Sequence, residues 1–254
     1  HNALVEAQKY GEINVAGSSR ADNYTYIPEY TLSPDAKYVH ITTNNTIYGT
    51  RYDHVPETGD IPLVADMSSN ILSEVYDVSK FGLIYAGAQK NVAPAGVTIV
   101  VVREDLLGNE AAYPPKVMSL KKMADADSML NTPNCFGIYV AGLTFEWLKQ
   151  QGGVAAMEKI NIEKAALLYD FLDNSKLFKA TAQKEYRSLM NVTFVTGDAD
   201  KDAAFVKYAA ANGLANLKGH RSVGGMRASI YNAMPVAGVQ KLVDVMKAFE
   251  KENA

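Results

Sequence analysis

The sequence predicts an α/β protein built on a mostly parallel sheet, and three observations lead there. Short continuous apolar runs, rich in β-branched residues, each end in small or polar residues; strands buried on both faces require that pattern. Downstream of them, helical and strand patterns alternate after a long linking helix, which reads as a second, smaller α/β unit. The chain has 254 residues, 48% hydrophobic and 21% charged, an ordinary globular composition that is long enough for one large core or two modest ones.

Residues 2 to 10 read as the end of an amphipathic helix stopped by Gly11. The following stretch, to about Pro34, places Tyr24, Tyr26 and Tyr30 in near alternation and predicts a surface hairpin that packs its rings. Four strands are expected at Tyr38–Thr42, Pro62–Asp66, Leu83–Ala86 and Thr98–Val102. Beyond Pro133 a long helix runs to Gln151, with Tyr139, Leu143, Trp147 and Leu148 at three- and four-residue spacing, and Gly152–Gly153 ends it. A helix from about Val154 to Asn174 follows, its apolar side carrying Met157, Ile160, Ala165, Leu168 and Phe171. A strand (Asn191–Val195), a helix (Asp202–Asn212, stopped by Gly213), a strand (Met226–Tyr231) and a terminal helix (Val236–Glu252) complete the order. The boundary between a larger first domain, 1–150, and a smaller second one, 151–254, falls near residue 150.

Charge and composition narrow the function classes. With 25 Lys+Arg against 28 Asp+Glu the formal net charge is -3, which lacks the clustered positive charge that phosphate backbones demand; no nucleic-acid partner is expected. The doublet Lys121–Lys122 reads as a solvated surface pair. No run of eighteen apolar residues occurs, so no membrane association is expected. The single cysteine, Cys135, cannot form an internal disulfide, and no secretory leader is recognisable; a reducing, cytoplasmic setting is the expectation, and the Asn-x-Thr matches at Asn23, Asn44 and Asn191 are then chance. His1, His40, His54 and His220 show no metal-ligand spacing, and no glycine-rich phosphate fingerprint occurs.

In open α/β sheets ligands bind beyond the carboxyl ends of the strands, and two charged residues stand there. Asp66 closes one apolar run in Ala65–Asp66–Met67–Ser68–Ser69, and Lys90 follows another in Ala86–Gly87–Ala88–Gln89–Lys90–Asn91. A desolvated lysine among small residues is a usable amine nucleophile, and a neighbouring aspartate suits the ring nitrogen of pyridoxal phosphate. A plain Asp–Lys ion pair at a sheet edge is the alternative. Lys218–Gly219–His220–Arg221, near Arg227, could grip an anion or form a solvated loop.

The run Tyr85–Gly96 resembles the cofactor-lysine segment of the phosphoserine aminotransferases, fold type I pyridoxal phosphate enzymes. The segments Asn45–Gly49, Ala65–Ser69, Asn131–Pro133, Lys218–Arg221 and Gly224–Pro235 are similar to that family too, in its order. The resemblance covers nearly the whole chain and fades across residues 12 to 37. It implies a large cofactor domain plus a smaller C-terminal one, with Lys90 bonding the cofactor covalently and then shuttling a proton at the substrate α-carbon. It further implies that Asp66 pairs with the pyridinium nitrogen, Thr46 bonds near the ring oxygen and Gln89 reaches the phosphate. Asn131 and Thr132 would reach the phosphate of a neighbouring subunit's cofactor, making a homodimer the working unit. His220 and Arg221 would bind the phosphate or carboxylate of the substrate, with Arg227 a further candidate.

The implied reaction is reversible transamination between L-glutamate and 3-phosphohydroxypyruvate, giving O-phospho-L-serine with ping-pong kinetics, in serine and also pyridoxine synthesis. Family segments that bind the cofactor phosphate, stack on its ring and contact substrate precede the position matching His1, so the chain is expected to represent part of a longer protein. A catalytically incompetent fragment, or another fold type I aminotransferase, are the competing readings.

Overall fold

The computed structural model describes residues 2–111 and 114–253. A short helix, α1 (Asn2–Ala7), opens the described chain. The stretch to residue 37 forms no hairpin: a 3-10 turn at Arg20–Asp22 is its only regular element. Asn23 and Tyr24 both adopt positive φ, 54° and 56°, and such left-handed pairs cannot continue a ladder. The tyrosines do pack their rings, but outward onto other segments: Tyr24 against Tyr48 at 4.6 Å and Tyr26 against Tyr186 at 6.3 Å between centroids.

The four predicted strands form one sheet: β1 (Val39–Thr42), then, past a small antiparallel pair β2 (Asn44–Asn45) and β3 (Thr50–Arg51), β4 (Leu63–Asp66), β5 (Leu83–Gly87) and β6 (Thr98–Val102). The order is β1-β4-β5-β6. β1, β4 and β5 are parallel, whereas β6 runs antiparallel to β5, because a loop of only ten residues joins them and a parallel crossover needs a dozen or more. The alternating burial of β4 and β5 puts Leu63, Ala65, Ile84 and Ala86 on one packed face. The other face carries His40, Asp66 and Tyr85. Burial on both faces, as the apolar runs predict, is therefore not what the described residues show.

Helix α2 (Leu120–Asp125) is capped by the Ser119 side chain, and α3 (Cys135–Gln150) by that of Asn134 accepting from Gly137 N–H. The predicted stripe on α3 is buried only in part: Leu148 is buried with Gly137 and Ala141 and Trp147 is half-buried, whereas Tyr139 and Leu143 are exposed. Gly152 at φ 95° turns the chain into α4 (Gly153–Asn174). A second sheet of β7 (Lys179–Ala180), β8 (Asn191–Val195) and β9 (Met226–Ser229) is antiparallel throughout. Helix α5 (Ala199–Ala211), capped by Asp198, separates β8 from β9, and α6 (Val236–Asn253) follows Pro235. Val239, Leu242, Val243, Met246 and Phe249 recur along α6 at helical spacing and are all buried. None of the described helices is long and apolar enough to cross a membrane; His1 lies outside the described residues.

Candidate active site at the strand ends

Because β1, β4 and β5 are parallel, their carboxyl ends share one edge of the sheet, and three of the predicted residues converge there. Asp66 is the last residue of β4, Lys90 lies in the turn after β5, and Thr46 lies in the turn between β2 and β3, just beyond β1. Lys90 Nζ donates to Thr46 Oγ1 at 3.0 Å. Burial lowers the Lys90 pKa; the Asp66 charge opposes that shift and the Arg227 charge adds to it. No ion pair joins Asp66 to Lys90 among the described residues, so the plain ion-pair alternative does not describe the site.

Asp66 Oδ1 accepts from the Ser68 N–H at 2.8 Å, and Ser68 Oγ in turn accepts from Gly87 N–H at 3.0 Å, tying the two strand ends together. The Tyr85 hydroxyl also reaches the carboxylate. Tyr85 stands opposite Asp66 in the β4–β5 register. Burial, then the Asp66 charge, pushes its phenol up to about 12. Tyr85 Oη lies 3.0 Å from His40 Nε2, and partial desolvation lowers the imidazole pKa. Sequence reasoning missed His40, Tyr85 and Ser68; strict alternation along β1 and β5 places the first two on the Asp66 face, and that was the available signal.

The turn that carries Thr46 is shaped from both sides. Asn45 Oδ1 accepts from the Ile47 and Tyr48 N–H groups at 3.1 and 3.3 Å, an Asx turn. From the second sheet, Thr193 Oγ1 donates to Tyr48 O at 3.0 Å and Arg227 Nη1 to Thr46 O at 3.2 Å. Gly49, at φ 73°, closes the turn; a Cβ there would collide with the Thr193 side chain and sit 2.9 Å from Asn191 O.

The remaining predicted residues are placed as follows. Arg227, half-buried on β9, bonds the Thr46 turn and lines a small cleft with Ile47 and His220. His220 Nδ1 lies 2.7 Å from Ser222 Oγ. Arg221 is exposed and makes no hydrogen bond among the described residues. Gln89 is exposed, its amide folded over Gly87, where a Cβ would lie 2.6 Å from Gln89 Oε1. Asn131 and Thr132 are exposed in the segment before α3, outside the Lys90 cluster of this chain.

An amine with lowered pKa, a carboxylate and a hydroxyl at one sheet edge form a donor set suited to a pyridoxal phosphate group. Comparison with known proteins agrees with that reading. Residues 5–242 match the aminotransferase class-V family model. The phosphoserine aminotransferase of Herminiimonas arsenicoxydans is 56% identical over 253 residues, which is 98% of this chain and 70% of that protein. The chain belongs to the phosphoserine aminotransferase family of class V aminotransferases. The solved phosphoserine aminotransferase from Bacillus circulans subsp. alkalophilus superimposes with a TM-score of 0.97 at 41% identity, covering 99% of this chain and 71% of that one. A pyridoxal-phosphate-bound phosphoserine aminotransferase from Trichomonas vaginalis gives 0.92 at 36% identity over 96% and 71%. The α/β fold is therefore that of the fold type I aminotransferases.

Proposed function

We propose that this chain transfers an amino group reversibly between L-glutamate and 3-phosphohydroxypyruvate, forming O-phospho-L-serine, with pyridoxal phosphate as cofactor. The observation that carries the reading is the half-buried Lys90 amine, bonded to Thr46 and facing the strand end that carries Asp66. Pyridoxal phosphate, when bound, supplies an electron sink for charge developing at the substrate α-carbon. Lys90 Nζ is its attachment point and the group that holds and moves the α-proton. Asp66 would keep the ring nitrogen protonated, Thr46 would orient the ring and Gln89 would reach toward the phosphate. His220, Arg221 and Arg227 supply positive charge for the phosphate and carboxylate groups of the substrate.

The same reading assigns Asn131 and Thr132 to the neighbouring subunit's site in a cytoplasmic homodimer. It also divides the chain near residue 150 into a cofactor domain and a smaller domain. The test adds pyridoxal phosphate and follows the absorbance of the lysine–cofactor linkage, then adds L-glutamate alone. Supporting outcomes are absorbance that disappears in Lys90→Ala, a glutamate half-reaction, and parallel double-reciprocal lines with 3-phosphohydroxypyruvate. Linkage without a half-reaction would show cofactor holding without turnover and overturn the transaminase reading for this chain; no linkage would overturn both.

A further inference from the structure

Behind the catalytic edge lies a buried polar cluster that none of the roles above uses. Asn232 follows β9, and its amide nitrogen donates to Leu72 O at 2.9 Å, in the loop that leaves Asp66. Its backbone N–H donates to Asn91 Oδ1 at 3.1 Å, and Asn91 is the residue after Lys90. One residue thus grips both loops, while the amide of Asn91 donates onward to Ile71 O at 3.0 Å. Asn232 is itself held from α4: Asn161 Nδ2 donates to Asn232 Oδ1 at 3.0 Å and to Ser73 O at 2.9 Å. One turn along, Lys164 Nζ caps the carbonyls of Ile230 and Tyr231 at 3.0 and 2.9 Å.

Two features mark this as more than packing. Leu72, whose carbonyl Asn232 holds, sits at φ 61°, a conformation that a branched residue keeps only when its surroundings enforce it. Asn161 Oδ1 is buried with no partner, a cost retained although an apolar residue would avoid it.

We propose that Asn232, anchored by Asn161 on α4, is a positioning residue that fixes the Lys90 loop against the Asp66 loop, so that the second sheet sets the geometry of the amine. It touches no reacting atom and acts through Asn91. The proposal rests on the assignment of Lys90 as the cofactor lysine, and its test reads the amine without cofactor or substrate.

The experiment labels the chain with an amine-selective reagent and follows modification of Lys90 by peptide mass spectrometry as a function of pH. Asp66 and Arg227 are the charges facing that amine, and neither is altered. Asn232→Ala keeps the backbone N–H that Asn91 accepts but removes the side-chain bonds to Leu72 O and Asn161 that hold it in place. The Lys90 loop therefore loosens, Lys90 gains water, its labelling midpoint moves upward and its labelling near neutral pH falls several-fold. In an Asn91→Ala background the further Asn232→Ala substitution has little left to change, because its route to Lys90 is gone. Ser175→Ala is the control: Ser175 is buried far along the chain beside Glu250, and its loss lowers the melting temperature with the Lys90 midpoint unmoved.

An unmoved midpoint in Asn232→Ala, with a lower melting temperature like that of Ser175→Ala, overturns the proposal. So does full additivity with Asn91→Ala. Should Asn232→Ala fail to fold, Asn91→Ala alone reads the same midpoint, and no shift there is equally fatal. A shifted midpoint in a chain that shows no glutamate half-reaction would count against the assigned reaction and not against the positioning.

Discussion

The two sheets of this chain hold their apolar residues very differently. The antiparallel sheet, with α4, α5 and α6, closes around one continuous cluster in which Phe178, Phe194, Phe205 and Phe249 pack mostly edge to face at 4.8 to 6.3 Å. The parallel strands bury a shorter set, Ile41, Leu63, Ala65, Met67, Phe81, Ile84 and Ala86, on one face. Their opposite face carries polar groups, and β6 leaves Val100 and Val101 exposed. The Lys90 amine thus belongs to the thinly covered sheet. The Thr46 turn and the Lys90 loop are tied by polar bonds to the densely packed one. Stability and chemistry are concentrated in different parts, and the bonds between them transmit position.

The sharpest way to break that separation is Lys90→Ala. Among the described residues the lysine side chain has one hydrogen-bond partner, Thr46, so its loss should leave the melting temperature of the chain unchanged. Loss of a positioned proton-transfer group alone lowers turnover by about 10²- to 10⁴-fold, and loss of covalent attachment removes the linkage absorbance altogether. A large drop in melting temperature in Lys90→Ala would show that the catalytic edge carries stability after all.

Next in size is Phe178→Ala, at the centre of the aromatic cluster, where truncation costs about 3–5 kcal/mol by denaturant unfolding. Phe81→Ala, in the one-faced cluster, belongs at or below the low end of that range, because a less enclosed site collapses or admits water. Equal costs at the two positions would erase the contrast between the sheets.

The strands of the first sheet were legible because each is a compact apolar run, and Asp66 and Lys90 because a charge at the end of such a run needs a reason. The long helices were legible from periodicity and from Gly152 and Gly213. What escaped is instructive. The direction of β6 depends on loop length, which the apolar run itself does not encode. The stripe Tyr139–Leu143 has helical spacing yet is exposed here, since periodicity shows an apolar face without naming what covers it. Alternating tyrosines suggested a hairpin, but the left-handed pair Asn23–Tyr24 overrides alternation. Asn161, Lys164 and Asn232 are polar residues whose burial comes only from contacts 66 to 160 residues apart in sequence, beyond the reach of local pattern.

Gly49→Ala sharpens the link between the parts. Positive φ plus contact with Thr193 and Asn191 O predicts a loss of about 1–3 kcal/mol, smaller than at Phe178. Because the turn carries Thr46, affinity for pyridoxal phosphate should weaken as well. Thr193→Val, which keeps the bulk and removes the bond to Tyr48 O, should weaken that affinity by a smaller factor. An affinity unchanged in both variants would show that the second sheet supports the turn without tuning it.

The subtlest effect to read is a slope with pH. Lys164 is fully buried on α4 with two carbonyls as partners and no carboxylate among the described residues, and burial pulls its pKa down to about 8. In the unfolded chain a lysine titrates at about 10.4. Between those values the unfolded state holds more protons than the folded one, so this group makes the fold more stable as pH rises through that window, and its unfavourable contribution is constant below it. Asp173 has the opposite sign: hydrogen bonds from Arg187, followed by Lys184, hold its carboxyl at about 2. Its contribution is therefore complete above about 3.9 and lost as pH falls toward 2. Denaturant midpoints measured from pH 7 to 10 should rise for the parent chain relative to Lys164→Met, whose thioether cannot titrate. Parallel curves would mean that Lys164 reaches water and that the clamp behind the catalytic edge is looser than the densely packed sheet beside it.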